Sequence, residues 1–192
     1  VTDLRLAAEG VFWTIQGEGH LAGCPMAFVR LAGCDVGCAG CDTDYRFVES
    51  VASDEVVERV LKVTPDSVVS PWAWITGGEP TLQSIAPLCR ALQARGYRVA
   101  VASAGERPLT PPVEWVSLSP HRPGRLRQRF GHELKIVPGL HTESDLDALR
   151  AEAETADVWF RYVQPLAGDI DSLEKCLAFI NDNPNWCLSE QH

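Results

Sequence analysis

Gly33-Cys34-Asp35-Val36-Gly37-Cys38-Ala39-Gly40-Cys41-Asp42-Thr43-Asp44 sets three cysteines, Cys34, Cys38 and Cys41, in a Cx3Cx2C spacing between glycines. The stretch follows the apolar run Ala27 to Ala32, so it reads as a pliable loop leaving a strand. Such a loop can turn three thiolates toward one point. A structural zinc site takes four ligands, and a plain 4Fe–4S cluster takes four cysteines. Three readings stay open on the residues alone: a cluster with one iron left for an outside ligand, a zinc knot completed by Cys24, or three inert thiols.

Around this loop, the 192 residues suit one domain with an ordinary share of apolar (45 %) and charged (22 %) residues. No apolar stretch is long enough to span a bilayer, and residues 1–10 carry no signal-peptide core, so a cytoplasmic protein without a membrane partner is expected. Seven cysteines fit metal binding in a reducing compartment better than a disulfide framework. A net charge of −9 argues against a nucleic-acid partner, since that affinity comes largely from Lys and Arg on phosphates. The run His121 to Arg129 is locally basic. It reads as a solvated loop or as a patch that steers an anionic substrate or protein partner.

Strand and helix patterns alternate along the chain. Leu4 to Ile15 reads as a strand arm, Ser53 to Leu61 as a helix capped near Ser53, and Trp72 to Ile75 as a strand. A helix is expected over Thr81 to Arg95, then strands at Arg98 to Ser103, Glu114 to Leu118 and Glu133 to Val137. A helix over Ser144 to Ala156, a strand over Val158 to Val163 and a helix over Ser172 to Asn181 follow, the last with Leu173, Cys176, Leu177 and Ile180 inward. This is an α/β chain with a mainly parallel sheet. It is too short for eight β/α units, so an open, abbreviated six-stranded β/α partial barrel is expected.

Several segments carry chemistry. Thr76-Gly77-Gly78-Glu79-Pro80 lies at the C-terminal end of a strand, where β/α barrels place their sites. Arg30 sits inside an apolar strand and needs an anion, either a protein carboxylate or a ligand. Ile15-Gln16-Gly17-Glu18-Gly19 combines a carboxylate with exposed peptide groups, and Asp42-Thr43-Asp44 reads as a turn or cap.

The cysteine spacing followed by Thr76 to Pro80 resembles the radical S-adenosylmethionine (SAM) superfamily. Ile15 to Gly19 resembles the N-terminal signature of one branch, the 7-carboxy-7-deazaguanine synthases, and the likeness runs over nearly the whole chain. It implies a 4Fe–4S cluster on Cys34, Cys38 and Cys41, and Mg2+ held by Thr43. It implies SAM against Gly40, Cys41, Asp42, Gly77, Gly78, Glu79, Ser119, Pro120, His121 and Gln164. A pterin substrate would meet Ile15, Gln16, Gly17, Glu18, Arg30, Thr76 and His192. It further implies a homodimer and a flavodoxin-like electron donor. The chain departs from the pattern at Ala102, where relatives carry a glutamate, and at His121, where they carry a lysine. A glycyl-radical activase is the alternative within the superfamily, and a zinc-stabilised binding module the alternative outside it.

Overall fold

The computed structural model describes residues 3–38, 41–110 and 113–190. Nine strands form one sheet: β1 (Asp3–Ile15), β2 (Pro25–Leu31), β3 (Glu49–Ala52), β4 (Trp72–Gly77), β5 (Arg98–Ser103), β6 (Trp115–Leu118), β7 (Phe130–Ile136), β8 (Asp157–Val163) and β9 (Cys187–Leu188). Their order is β3-β1-β2-β4-β5-β6-β7-β8-β9. From β2 to β8 every pairing is parallel, which gives the six strands of the expected partial barrel. The antiparallel β1 and β3 extend one edge and the two-residue β9 the other.

Side-chain alternation explains the layers. Ala27, Val29 and Leu31 of β2, Ala73 and Ile75 of β4, and Val99 and Val101 of β5 turn to an aliphatic core. That core is closed by α1 (Ser53–Val63) and α2 (Ala86–Ala94). A second aliphatic core joins Val116 and Leu118 to Leu149 and Ala153 of α3 (Glu143–Glu154) and to Cys176 and Phe179 of α4 (Ile170–Asp182). The opposite face is aromatic: Met26 and Phe28, Trp72 and Trp74, and Trp115 cluster with Ala100. Arg30 and Thr76, paired in register, continue the rows of Phe28 and Trp74 toward the strand C-termini. The fold therefore delivers both to one face at one end.

Three expectations about elements need correction. The helix expected over 81–95 begins only at Ala86, after a 3-10 turn over Pro80–Leu82. Pro87 is the reason, because inside a longer helix its ring would clash with the preceding turn and remove a hydrogen bond. Ser53 does not cap α1; Ala52 holds that position with no side-chain bond. On α4 the inward residues are Ser172, Cys176 and Phe179, while Leu177 is exposed.

Candidate active site

The two signature loops meet through their backbones. Gly78 N–H donates to the Leu31 carbonyl and Glu79 N–H to the Gly33 carbonyl, each at 2.9 Å. A Cβ on Gly77, whose φ is +126°, would lie 2.1 Å from the Leu31 oxygen, and one on Gly78 would lie 1.9 Å from the Gly33 oxygen and 3.0 Å from Cys34 Cβ. Only glycine permits this approach. It fixes the root of the cysteine loop against the end of β4.

Glu79 locks that junction to the next strand. Its carboxylate, 2 % exposed, accepts from Thr81 N (3.0 Å), Thr81 Oγ1 (2.6 Å), Ser103 Oγ (2.8 Å) and Ala104 N (2.8 Å). Four donors satisfy a buried charge that would otherwise be costly. The residue expected against SAM is thus first a bolt between two loops.

Three free cysteines stand on the loop, Cys34 and Cys38 half-buried and Cys41 exposed. Burial pushes the Cys38 thiol up to about 11, and the neighbouring Cys34 and Cys41 add to this. Without a metal Cys38 therefore stays a neutral thiol near pH 7, and three sulfurs on one loop are the soft donors that suit iron–sulfur groups. The donor set therefore fits the implied cluster, although among the described residues no three His, Cys, Asp or Glu side chains form a ready metal cage. Cys24 is excluded as a fourth ligand by geometry. It precedes β2 while Cys34 follows it, so a seven-residue strand, roughly 20 Å, lies between them. Cys24 instead packs on the aromatic cluster.

Beyond Cys41 the loop makes mostly local bonds. Thr43 Oγ1 donates to Asp42 Oδ1 at 3.1 Å, and Asp44 accepts from Arg46 Nε at 2.8 Å. A hydroxyl beside a carboxylate has the oxygen chemistry that magnesium takes, together with several waters. Gly40 and His192 lie outside the described residues.

The N-terminal signature closes the far side of the barrel mouth. Gln16 is buried and its side chain accepts from Glu18 N at 3.2 Å. Glu18 is gripped by Lys135 Nζ and by Gln164 Nε2 (3.0 Å), and Gln164 Oε1 accepts from Ser189 Oγ at 3.2 Å. Gly19 N donates to Ser189 Oγ at 2.9 Å, and His20 N to Glu133 Oε2 at 2.7 Å. Residues 16–20 are thereby joined to β7, β8 and the C-terminal stretch, with Ile15 exposed at their root.

Arg30 sits across from this network. Its Nε lies 3.2 Å from Glu9 Oε2 and its guanidinium lies 5.5 Å from the Phe12 ring. Yet Nε is buried without an aligned hydrogen-bond acceptor. The protein carboxylate thus only partly meets its need, which leaves the guanidinium suited to a ligand's carboxylate.

Ser119 N donates to the Ser103 carbonyl, which brings Ser119, Pro120 and His121 beside the Glu79 bolt. His121 Nδ1 and His141 Nε2 are buried without partners, their rings 6.3 Å apart. Burial, with His141 and Lys135 nearby, pulls His121 down to about 4.

Sequence reasoning missed Glu133, Lys135, Thr81 and Ser103. The signal for the first two was present: charges at alternate positions of an apolar strand point to one face. Thr81 and Ser103 matter only through Glu79, and no local pattern marks them. A groove of about 300 Å³ between α1 and α2, lined by Asp54, Glu55, Val57, Glu58, Ala91 and Arg95, lies on the helical layer and contains none of the predicted residues.

No family model matches the chain. The 7-carboxy-7-deazaguanine synthase of Synechocystis sp. is 32 % identical over 94 % of this chain and 87 % of its own length. That of Bacteroides thetaiotaomicron is 33 % identical over 94 % and 92 %, and that of Burkholderia multivorans 30 % over 98 % and 96 %. The crystal structure of QueE from Escherichia coli shares the fold, with a TM-score of 0.79 over 98 % of this chain and 94 % of that one at 24 % identity.

Proposed function

The chain belongs to the 7-carboxy-7-deazaguanine synthase family, and from that premise we propose that it converts 6-carboxy-5,6,7,8-tetrahydropterin to 7-carboxy-7-deazaguanine with loss of ammonia. It acts as a radical SAM lyase in 7-deazapurine biosynthesis of the queuosine type. The observation that carries this reading is the backbone union of the two signature loops at one end of the parallel strands, with the glycines in van der Waals conflict with any other residue.

In this reading Cys34, Cys38 and Cys41 hold a 4Fe–4S cluster, Thr43 takes Mg2+, and SAM lies along Gly40, Cys41, Asp42, Gly77, Gly78, Glu79, Ser119, Pro120, His121 and Gln164. When bound, the cluster supplies the electron that cleaves SAM and starts ring contraction. The protein's own work is placement and exclusion of water. Arg30 forks the substrate carboxylate, and Thr76, in register beside it, supplies a hydroxyl on the same face. Glu18, held in one orientation by Lys135 and Gln164, accepts from the amino and amide edge of the pterin. Glu79 keeps the β4 and β5 loops aligned. The whole chain works as one domain, as a homodimer in the cytoplasm, and receives electrons from a flavodoxin-like donor.

Neither the glycyl-radical activase nor the zinc module gains support from the relatives, all named as synthases. The test is anaerobic incubation of reconstituted protein with the carboxytetrahydropterin, SAM, Mg2+ and dithionite, followed by mass spectrometry. Deazaguanine product with released ammonia is expected. Deoxyadenosine accumulating without that product would point to another radical enzyme.

A further inference from the structure

Past His121, the basic run to Arg129 is a sequence feature that the proposed reaction leaves unused. It holds Arg122, Arg125, Arg127 and Arg129 and no carboxylate, in a chain of net charge −9. In the fold, Arg122, Arg125 and Arg127 gather with Arg107 around a depression of about 160 Å³ whose acidic lining residues are Asp35 and Glu106. Arg107 pairs with Asp35 and Arg122 with Glu106, each at 2.5 Å. Arg125 stands 3.9 Å from the already occupied Glu106, and Arg127 has no ion pair among the described residues. Four guanidinium groups against two carboxylates leave the patch positive. Arg125 and Arg127 are exposed, and Asp35 is the chain neighbour of Cys34. A positive depression on an acidic protein therefore borders the cysteine loop.

We infer that this patch is the docking surface for an acidic single-electron carrier protein that serves the cysteine loop. The inference rests on the radical SAM reading above, which requires one electron from outside. That electron leaves the carrier's reduced flavin and enters the iron–sulfur group, and no bond is made or broken at the surface. Most of this protein's surface repels an acidic partner, so a local positive field selects the one face on which encounter is productive. Electron-transfer encounters use small, transient interfaces, for which a local charged patch is enough. The two ion pairs hold Arg107 and Arg122 in place, while Arg125 and Arg127 remain for the partner.

The test is an equilibrium titration of the reconstituted protein with a purified flavodoxin, followed by flavin fluorescence at low and at near-physiological salt. Binding is expected to weaken steeply with salt and by about tenfold in the Arg125→Glu/Arg127→Glu double variant. A Lys62→Glu control on α1 should bind as the parent does. Dithionite-driven turnover of the double variant should equal that of the parent, because neither arginine belongs to the proposed site. Equal binding by parent and double variant overturns the inference, as does absence of binding by both. If dithionite drives no turnover even in the parent, the proposed reaction fails instead, and the titration still decides the docking surface.

Discussion

The loop after β4 and the loop after β2 lie against each other, yet they are held by opposite means. From Thr76 to Thr81 the chain is bolted: two backbone hydrogen bonds to the Leu31 and Gly33 carbonyls, and a buried carboxylate with four donors. From Cys34 to Asp44 the described bonds are mostly between near neighbours, with Asp35 to Arg107 and Gly33 N to the Tyr45 carbonyl as the longer ties. The contrast teaches a division of labour. One loop is a rigid abutment, and the other carries three cysteines that few long-range bonds hold in place.

A pair of glycine substitutions tests the contrast most severely. Gly78→Ala must displace the Gly33 carbonyl, and a loss of about 3–5 kcal/mol in denaturant unfolding is expected. Gly37→Ala, at φ +70° with nothing near its Cβ, should cost about 1 kcal/mol. Equal costs would break the distinction between the loops.

Removing the bolt comes next. Glu79→Ala leaves the Ser103 hydroxyl and the Ala104 N–H unpaired, and a destabilisation of about 2–3 kcal/mol is expected. A change under half of that would mean that water readily replaces the carboxylate.

Acid should then reveal the buried histidine behind the abutment. His121 faces His141, Lys135 and Glu106 and stays neutral in the folded chain down to about pH 4. Its unfolded form takes up a proton near pH 6.5, so its folded pKa is depressed. Stability is therefore kept above pH 6.5 and lost as pH falls from there toward 4, by on the order of 2 kcal/mol. His121→Asn should flatten that part of the stability profile, and an unchanged slope would assign the acid sensitivity elsewhere.

The smallest effect belongs to the cysteines. Cys34→Ser, Cys38→Ser and Cys41→Ser together should shift metal-free stability by less than about 1 kcal/mol, while iron uptake is abolished. A large loss of stability would make the loop part of the abutment after all.

Much of this was legible from residues alone. The parallel strands followed from alternating apolar runs, and the two motifs at strand ends do lie against each other in the fold. Arg30 stood out because a guanidinium in an apolar strand needs an anion. What stayed hidden was pairwise and distant: Ser103 and Thr81 gain their roles only when folding brings them to Glu79, and the face of Lys135 was readable but its partner, Glu18, was not. The late start of α2 was readable from Pro87, but the apolar periodicity across Thr81 to Arg95 masked it.

The proposed reaction requires that the three sulfurs share an iron cluster and leave one iron for SAM. Iron and sulfide analysis with Mössbauer spectroscopy on the anaerobically reconstituted protein, before and after SAM is added, measures this most directly. About four irons per chain, one of which changes its spectrum with SAM, is the expected result. A colourless protein holding zinc, or four irons unaffected by SAM, would contradict it.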